Sequence, residues 1–314
     1  MMMMMMMMRA ATAVTTLALA AGGCGGGGGS ATTLASTGSY GPWGIAVDAT
    51  HVYWTDRDAG TVSKVGKRGG APVIIASEQF GAWGIAVDAT SVYWTAGGGA
   101  VMKAPRDGGT PVMMASGYGH ARGIAVDGTH VYWTTLDDFG SNTGLVFRAL
   151  LDGTSPVTIG AGQVDPSDVA VDASAAYWTT LGGTVMKVAL TGGLPVTLAS
   201  TGVPNQDIAL DATNVYWTTT GVQISDGAVM TVPLDGGTPV TLAAPQNGPN
   251  GLAVDGANVY WASVGADAIG RVPVGGGAST TFASGQDDPM HVAVDDTHVY
   301  WTNFWAGTVM AQAK

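Results

Sequence analysis

Charge is scarce in this sequence, and positive charge scarcest. Charged residues make up 11% of the 314-residue chain, with 12 Lys and Arg against 23 Asp and Glu, a formal net charge of −11. Binding phosphates needs clustered cations, so nucleic acid is excluded as a partner. So few charges also exclude a coiled coil or a long solvated helical array, whose outer faces need them. A single Cys leaves no intramolecular disulfide and no multi-cysteine metal site. The one N-terminal apolar stretch, Ala10 to Ala21, is too short to span a bilayer as a helix. No nucleophile elbow, phosphate loop or zinc-protease helix is written in the chain. What remains is plentiful Gly (49), ten Trp and an apolar share of 46%, the composition of a packed, turn-rich protein.

The first thirty residues read as export and anchoring. Arg9 precedes the short apolar run, which ends in the small residues Ala21-Gly22-Gly23 before Cys24. Positive residue, apolar run and small residues are the order of a secretory signal. The ending resembles a bacterial lipoprotein lipobox, although a Leu usually stands where Ala21 does. That resemblance implies cleavage before Cys24 and lipid attachment to its thiol. An ordinary signal peptide is the other reading. The expected organisation is a signal segment over 1–23, a Gly-rich tether over 24–30 and a folded domain over 31–314. It places the protein in a bacterial cell envelope, as a periplasm-facing or surface lipoprotein, or outside the cell. Contact with membrane is expected only through the anchor.

The folded part repeats one unit seven times. Asp48, Asp88, Asp127, Asp172, Asp211, Asp255 and Asp295 each close an apolar triplet, at spacings of 40, 39, 45, 39, 44 and 40 residues. A Tyr-Trp pair follows every copy, from Tyr53-Trp54 to Tyr300-Trp301. Each unit contains four short apolar runs separated by turn-forming residues, which read as four strands. Four strands at a period near 40 predict the blade of a β-propeller. Ala recurs at one first-strand position (Ala46, Ala86, Ala125, Ala170, Ala209, Ala253, Ala293), as a strand crowded towards a central axis requires. The last copy lacks a fourth strand, and Ala31–Ser36 matches the missing piece. The expectation is an all-β, seven-bladed β-propeller of four-stranded blades, closed by an N-terminal strand that completes the last blade.

Tyr-Trp-Thr after an Ala-Val-Asp strand resembles the YWTD propellers of lipoprotein receptors, and also NHL-type and SMP-30-like bacterial propellers. YWTD propellers have six blades, whereas this chain has seven copies. Only Tyr53-Trp54-Thr55-Asp56 carries the full tetrad; the fourth place is otherwise Ala96, Thr135, Thr180, Thr219, Ser263 or Asn303. The resemblance implies the fold and a habit of binding on one face.

Residues shared by all blades belong to the scaffold. The repeated Asp is expected to accept backbone N–H bonds in a turn. His51, His130 and His298 share one turn position and are expected to face solvent. Lys64, Lys103, Arg148, Lys187 and Arg271 share a third-strand position and read as repeated surface charge. Function is sought instead where the repeat breaks, in the two residues ahead of each first strand. One side of that ring is aromatic, with Tyr40, Trp43, Phe80, Trp83 and Tyr118 beside Arg122. Phe139, Phe304 and Trp305 lie in nearby second-to-third-strand loops. The other side is polar, with Asp168, Gln206, Asp207, Asn250 and His291.

An aromatic arc facing a polar arc suits a glycan, a peptide or an envelope protein, through stacking and side-chain hydrogen bonds. The sequence thus predicts a monomeric, non-catalytic binding scaffold with Tyr40, Trp43, Phe80, Trp83, Tyr118, Arg122, Gln206, Asn250 and Trp305 as ligand contacts. No organic cofactor is expected. The alternative is a metal-dependent lactonase or lyase. In it Asp168, Asp207 and His291 would hold calcium or magnesium, as the resemblance to SMP-30-type and streptogramin-lyase propellers implies.

Overall fold

The computed structural model describes residues 30–38, 40–117, 119–136 and 143–314. Among them, twenty-eight strands form seven four-stranded antiparallel sheets. Six sheets use consecutive strands, in blades spanning 42–76, 85–115, 120–163, 166–200, 205–246 and 249–284. The seventh combines Pro289–Val294, His298–Asn303 and Thr308–Ala313 with the first strand of the chain, Thr32–Ser36. Thr32 pairs with Ala311 and Ser36 with Thr308, so the opening strand covers the edge left by the last one. The innermost strand of blade 1 packs on those of blades 2 and 7, which closes the ring. The expected seven-bladed propeller and its N-terminal closure are both present. Cys24, Tyr118 and Phe139 lie outside the described residues.

The Tyr-Trp pair explains how the blades cohere. Adjacent residues of a strand point to opposite faces of its sheet. Trp therefore packs against one neighbouring blade and Tyr against the other. Tyr53 shares a core cluster with Trp94, Tyr93 with Trp133, and Tyr132 with Trp178. The pattern continues with Tyr177 and Trp217, Tyr216 and Trp261, Tyr260 and Trp301, and finally Tyr300 and Trp54. The core is thus seven inter-blade layers rather than one central mass, and all fourteen of these side chains are at most 2% exposed.

The repeated Asp acts as the turn-former expected of it. Asp48 Oδ1 accepts from the Thr50 and His51 amides at 2.6 and 2.8 Å, while Oδ2 accepts from the Tyr53 hydroxyl at 2.7 Å. The Tyr–Asp bond recurs in blades 2, 3, 4, 5 and 7. In blade 6 Asp255 takes Lys314 Nζ at 2.6 Å instead. Burial would raise the pKa of Asp48, but the bonds from Thr50, Tyr53 and His51 outweigh it and hold it at about 2.

The third-strand cations are not loose surface charge. Lys64, Lys103, Arg148 and Lys187 each donate to a main-chain carbonyl of the next blade, of Arg106, Leu151, Leu190 and Leu234. Lys67 and Arg106 reach back to Asp295 and Asp48 of the preceding blade, each at 2.7 Å. The long aliphatic stems lie along the sheet while the head groups bridge blades, a geometry that equivalence of position in sequence does not show. His51, His130 and His298 are half-buried, each with Nδ1 on the hydroxyl of the preceding Thr.

Candidate functional site: the channel mouth

In six blades the residues that break the repeat occupy bulges, and in blade 2 Trp83 and Gly84 lie just ahead of the strand Ile85–Val87. In blade 1 the first-strand register shifts between Pro42 and Ile45, leaving Trp43 and Gly44 out of the ladder. Equivalent shifts set apart 122–123, 167–168, 206–207, 250–251 and 290–291. A bulge re-aims side chains that a regular strand would send into the inter-blade layers. These side chains are therefore free to vary, and they gather at one end of the channel.

The third residue of Tyr-Trp-Thr holds these bulges in a ring. Thr55 Oγ1 accepts from the Gly44 amide at 3.0 Å and donates to the Trp83 carbonyl of the next blade at 2.7 Å. Thr95, Thr134, Thr179, Thr218 and Thr302 repeat both bonds, the last one donating to the Trp43 carbonyl across the closure. Blade 6 has Ala262 at this position, so the belt has six links and a gap between blades 6 and 7.

Within the belt lies a cavity enclosing about 530 Å³ of solvent-open space. Trp43, Trp83, Gly84, Arg122, Gly123, Ser167, Asp168, Gln206, Asp207, Asn250 and His291 line it. Eight residues singled out in the sequence thus meet in one place. Trp43 is only 4% exposed and forms the aromatic floor, edge-on to Trp83 at 4.6 Å and to Phe304 at 5.8 Å. Tyr40, Phe80 and Trp305 stand outside the cavity on the rim. Tyr40 meets Trp305 at 5.4 Å, and Tyr40 and Phe80 are 59% and 64% exposed. Arg57 escaped the sequence reading, although it lies in a second-to-third-strand loop of the same face. Its guanidinium sits 4.8 Å from the Trp43 ring centroid and 4.2 Å from that of Trp83.

The acidic side of the mouth is paired with itself. Asp168 is hydrogen-bonded to Asp207, and its carboxyl occupies the space that a Cβ on Gly123 would need. Asp207 Oδ1 accepts from the Ile208 amide at 2.9 Å and Oδ2 from the Leu252 amide at 2.6 Å. Burial, then the charge of Asp207, then the bond between them push the Asp168 pKa well above its ordinary value. Burial lowers the pKa of His291, partly opposed by Asp207. Its Nδ1 is buried with no partner among the described residues. This donor set suits a divalent cation poorly: both Asp207 oxygens accept main-chain amides, and Asp168 is bonded to Asp207. Among the described residues, no three His, Cys, Asp or Glu side chains stand together as a metal-binding group.

The sign of the resulting pH dependence follows. A carboxyl whose pKa is raised by folding adds stability below its unfolded value, near 3.9, and loses it as pH rises through the folded value. The lowered turn aspartates act oppositely, and their contribution fades as pH falls below the unfolded value. Asp168→Asn keeps a neutral side chain at every pH. It is expected to flatten the alkaline limb of the stability profile and leave the acid limb intact, as read from denaturant midpoints across pH. Parallel wild-type and variant profiles would contradict the raised pKa of Asp168.

Seven closed blades with a walled mouth define a seven-bladed β-propeller. No family model matches the chain, and no curated protein matches it. Solved structures do. It is similar to virginiamycin B lyase from Staphylococcus aureus, at 14% identity and a TM-score of 0.75, over 90% of this chain and 99% of that one. It also resembles the WD40 β-propeller domain of Doa1, at 12% identity and a TM-score of 0.75, over 92% and 97% of the two chains. A chain of the nidogen/laminin complex matches at 20% identity and a TM-score of 0.59, over 75% of this chain and 94% of that one. At such identities the likeness carries the fold alone.

Proposed function

We propose that this protein is an exported, lipid-anchored monomer that binds a glycan, peptide or protein segment of an envelope partner at its channel mouth and performs no chemistry there. The observation that carries this reading is the division of the mouth. Trp43 and Trp83 form one wall, and Gln206, Asn250 and Ser167 offer polar groups on the other. Two exposed rim aromatics, Tyr40 and Phe80, extend the apolar side outward. Such a concave site, with two indoles facing a larger set of polar groups, binds by stacking and oriented hydrogen bonds. The pairing of Asp168 with Asp207 also favours binding over catalysis, since each carboxyl is already engaged.

Export and anchoring rest on Arg9, the apolar run and Cys24 in the sequence. Cys24→Ser is expected to move the protein from the membrane to the soluble fraction on cell fractionation; unchanged partitioning would remove the anchor from the proposal. Binding is tested by screening the mature protein on glycan and peptide arrays. Trp83→Ala should weaken the best ligand by about tenfold, the loss of one stacking contact of about 1.5 kcal/mol. Undiminished capture by a folded Trp83→Ala protein would count against the mouth as the binding site.

A further inference from the structure

Most cations of the described residues tie blades together. Lys64, Lys103, Arg148 and Lys187 bind carbonyls of neighbouring blades, and Lys67, Arg106 and Lys314 pair with aspartates across blade boundaries. Arg57 and Arg122 do something else. Both guanidiniums lie against the Trp83 ring, at 4.2 and 5.2 Å from its centroid. Each therefore feels the other's charge as well as the indole face.

Their surroundings differ. Arg122 has the carboxylate of Asp165 in its field. Arg57 feels Asp58 only at a distance, with no ion pair or side-chain hydrogen bond among the described residues. Its Nε is buried without a partner. Burial lowers the pKa of both, and Arg57 adds to the lowering at Arg122. A guanidinium offers five N–H donors in a fixed fork matched to a carboxylate. Cation–π contact with Trp43 and Trp83 offsets part of the desolvation of Arg57 but leaves its buried Nε without a hydrogen-bond partner. What Arg57 lacks is an anion.

We propose that Arg57, beside Arg122 on the Trp83 ring, forms a carboxylate site at the channel mouth, and that it takes the free C-terminus of a peptide whose last side chain is apolar. The apolar end of such a ligand would lie on the exposed rings of Tyr40 and Phe80. The fork geometry favours a planar carboxylate, and the aromatic rim favours an apolar group beside it. This rests on the mouth being a binding site and adds the chemical class of what binds.

The test uses tryptophan fluorescence of the full-length mature protein with an N-acetylated hexapeptide ending in phenylalanine, as free acid and as C-terminal amide. The acid should bind about tenfold more tightly than the amide, since the amide cannot make the charge-assisted hydrogen bond. Arg57→Gln should bring the acid down to the affinity of the amide, and Arg57→Lys should recover only part of the difference. Melting curves establish that both variants are folded. Equal binding of acid and amide overturns the carboxylate site while leaving the mouth a binding site. Binding of an oligouronide in place of the peptide acid overturns the peptide assignment. Binding of neither probe overturns the inference, and the array experiment with Trp83→Ala then decides the wider reading separately.

Discussion

Removal of residues 30–37 is expected to unfold the ring rather than trim it. The segment supplies the outer strand of blade 7, pairing from Thr32 with Ala311 to Ser36 with Thr308. Thr37 adds an amide bond and a hydroxyl bond to the Gly307 carbonyl, at 2.8 and 3.2 Å. Ala35 and Leu34 belong to the layer that holds Trp54 of blade 1 against Tyr300 of blade 7. Each lost ladder bond removes about 1 kcal/mol, and the lost apolar burial about 2 kcal/mol more. Together they remove much of the 5–15 kcal/mol by which domains are typically stable. The deletion also bares Thr308–Ala313 as an open edge that recruits other chains. The truncated protein should melt at a much lower temperature, aggregate, and be cleaved first within blade 7 by limited proteolysis. Adding a peptide of residues 30–38 should restore part of the stability. A truncated protein that melts like the full chain would mean that the ring does not depend on this strand.

Trp178→Ala should produce the largest loss for a single side chain. Trp178 is fully buried, packs with Tyr132 and Val169, and donates its indole N–H to Gln163 Oε1 at 3.0 Å. Its removal leaves a cavity between blades 3 and 4 and an unpaired glutamine carbonyl. Such truncations cost about 3–5 kcal/mol. Trp217→Ala makes a useful comparison, because the Trp217 Nε1 has no partner to lose. Denaturant midpoints should therefore fall in both, with Trp178→Ala the lower. If Trp178→Ala were nearly as stable as wild type, the inter-blade layers would not be the source of cohesion.

Spacing alone shows the blade count, because every blade must make the same contacts with its neighbours and so repeats the same residues. The turn role of Asp48 and its equivalents was legible for the same reason. The mouth was legible as a location, since it is where repetition stops, but its chemistry was not. Arg57 is one of seven loop positions in the sequence, and only the folded loop sets it between Trp43 and Trp83. The bond between Asp168 and Asp207 spans two blades, and the room for it comes from Gly123 on a third. The third-strand cations looked alike on paper, yet their reach into the next blade depends on how closely the sheets pack.

The sequence by itself determined the all-β architecture, the seven blades, the strand that closes them and the ring of positions where the repeat breaks. Local pattern suffices there, because strand alternation and turn chemistry act over a few residues and each blade restates them. Tertiary structure alone decided which ring residues touch, that Trp43 is floor rather than rim, that Asp168 bonds to Asp207 and that Arg57 lies against Trp43 and Trp83. Those facts arise where bulges from blades far apart in the chain converge on one axis, and the repeat constrains where such residues stand without constraining where their side chains point.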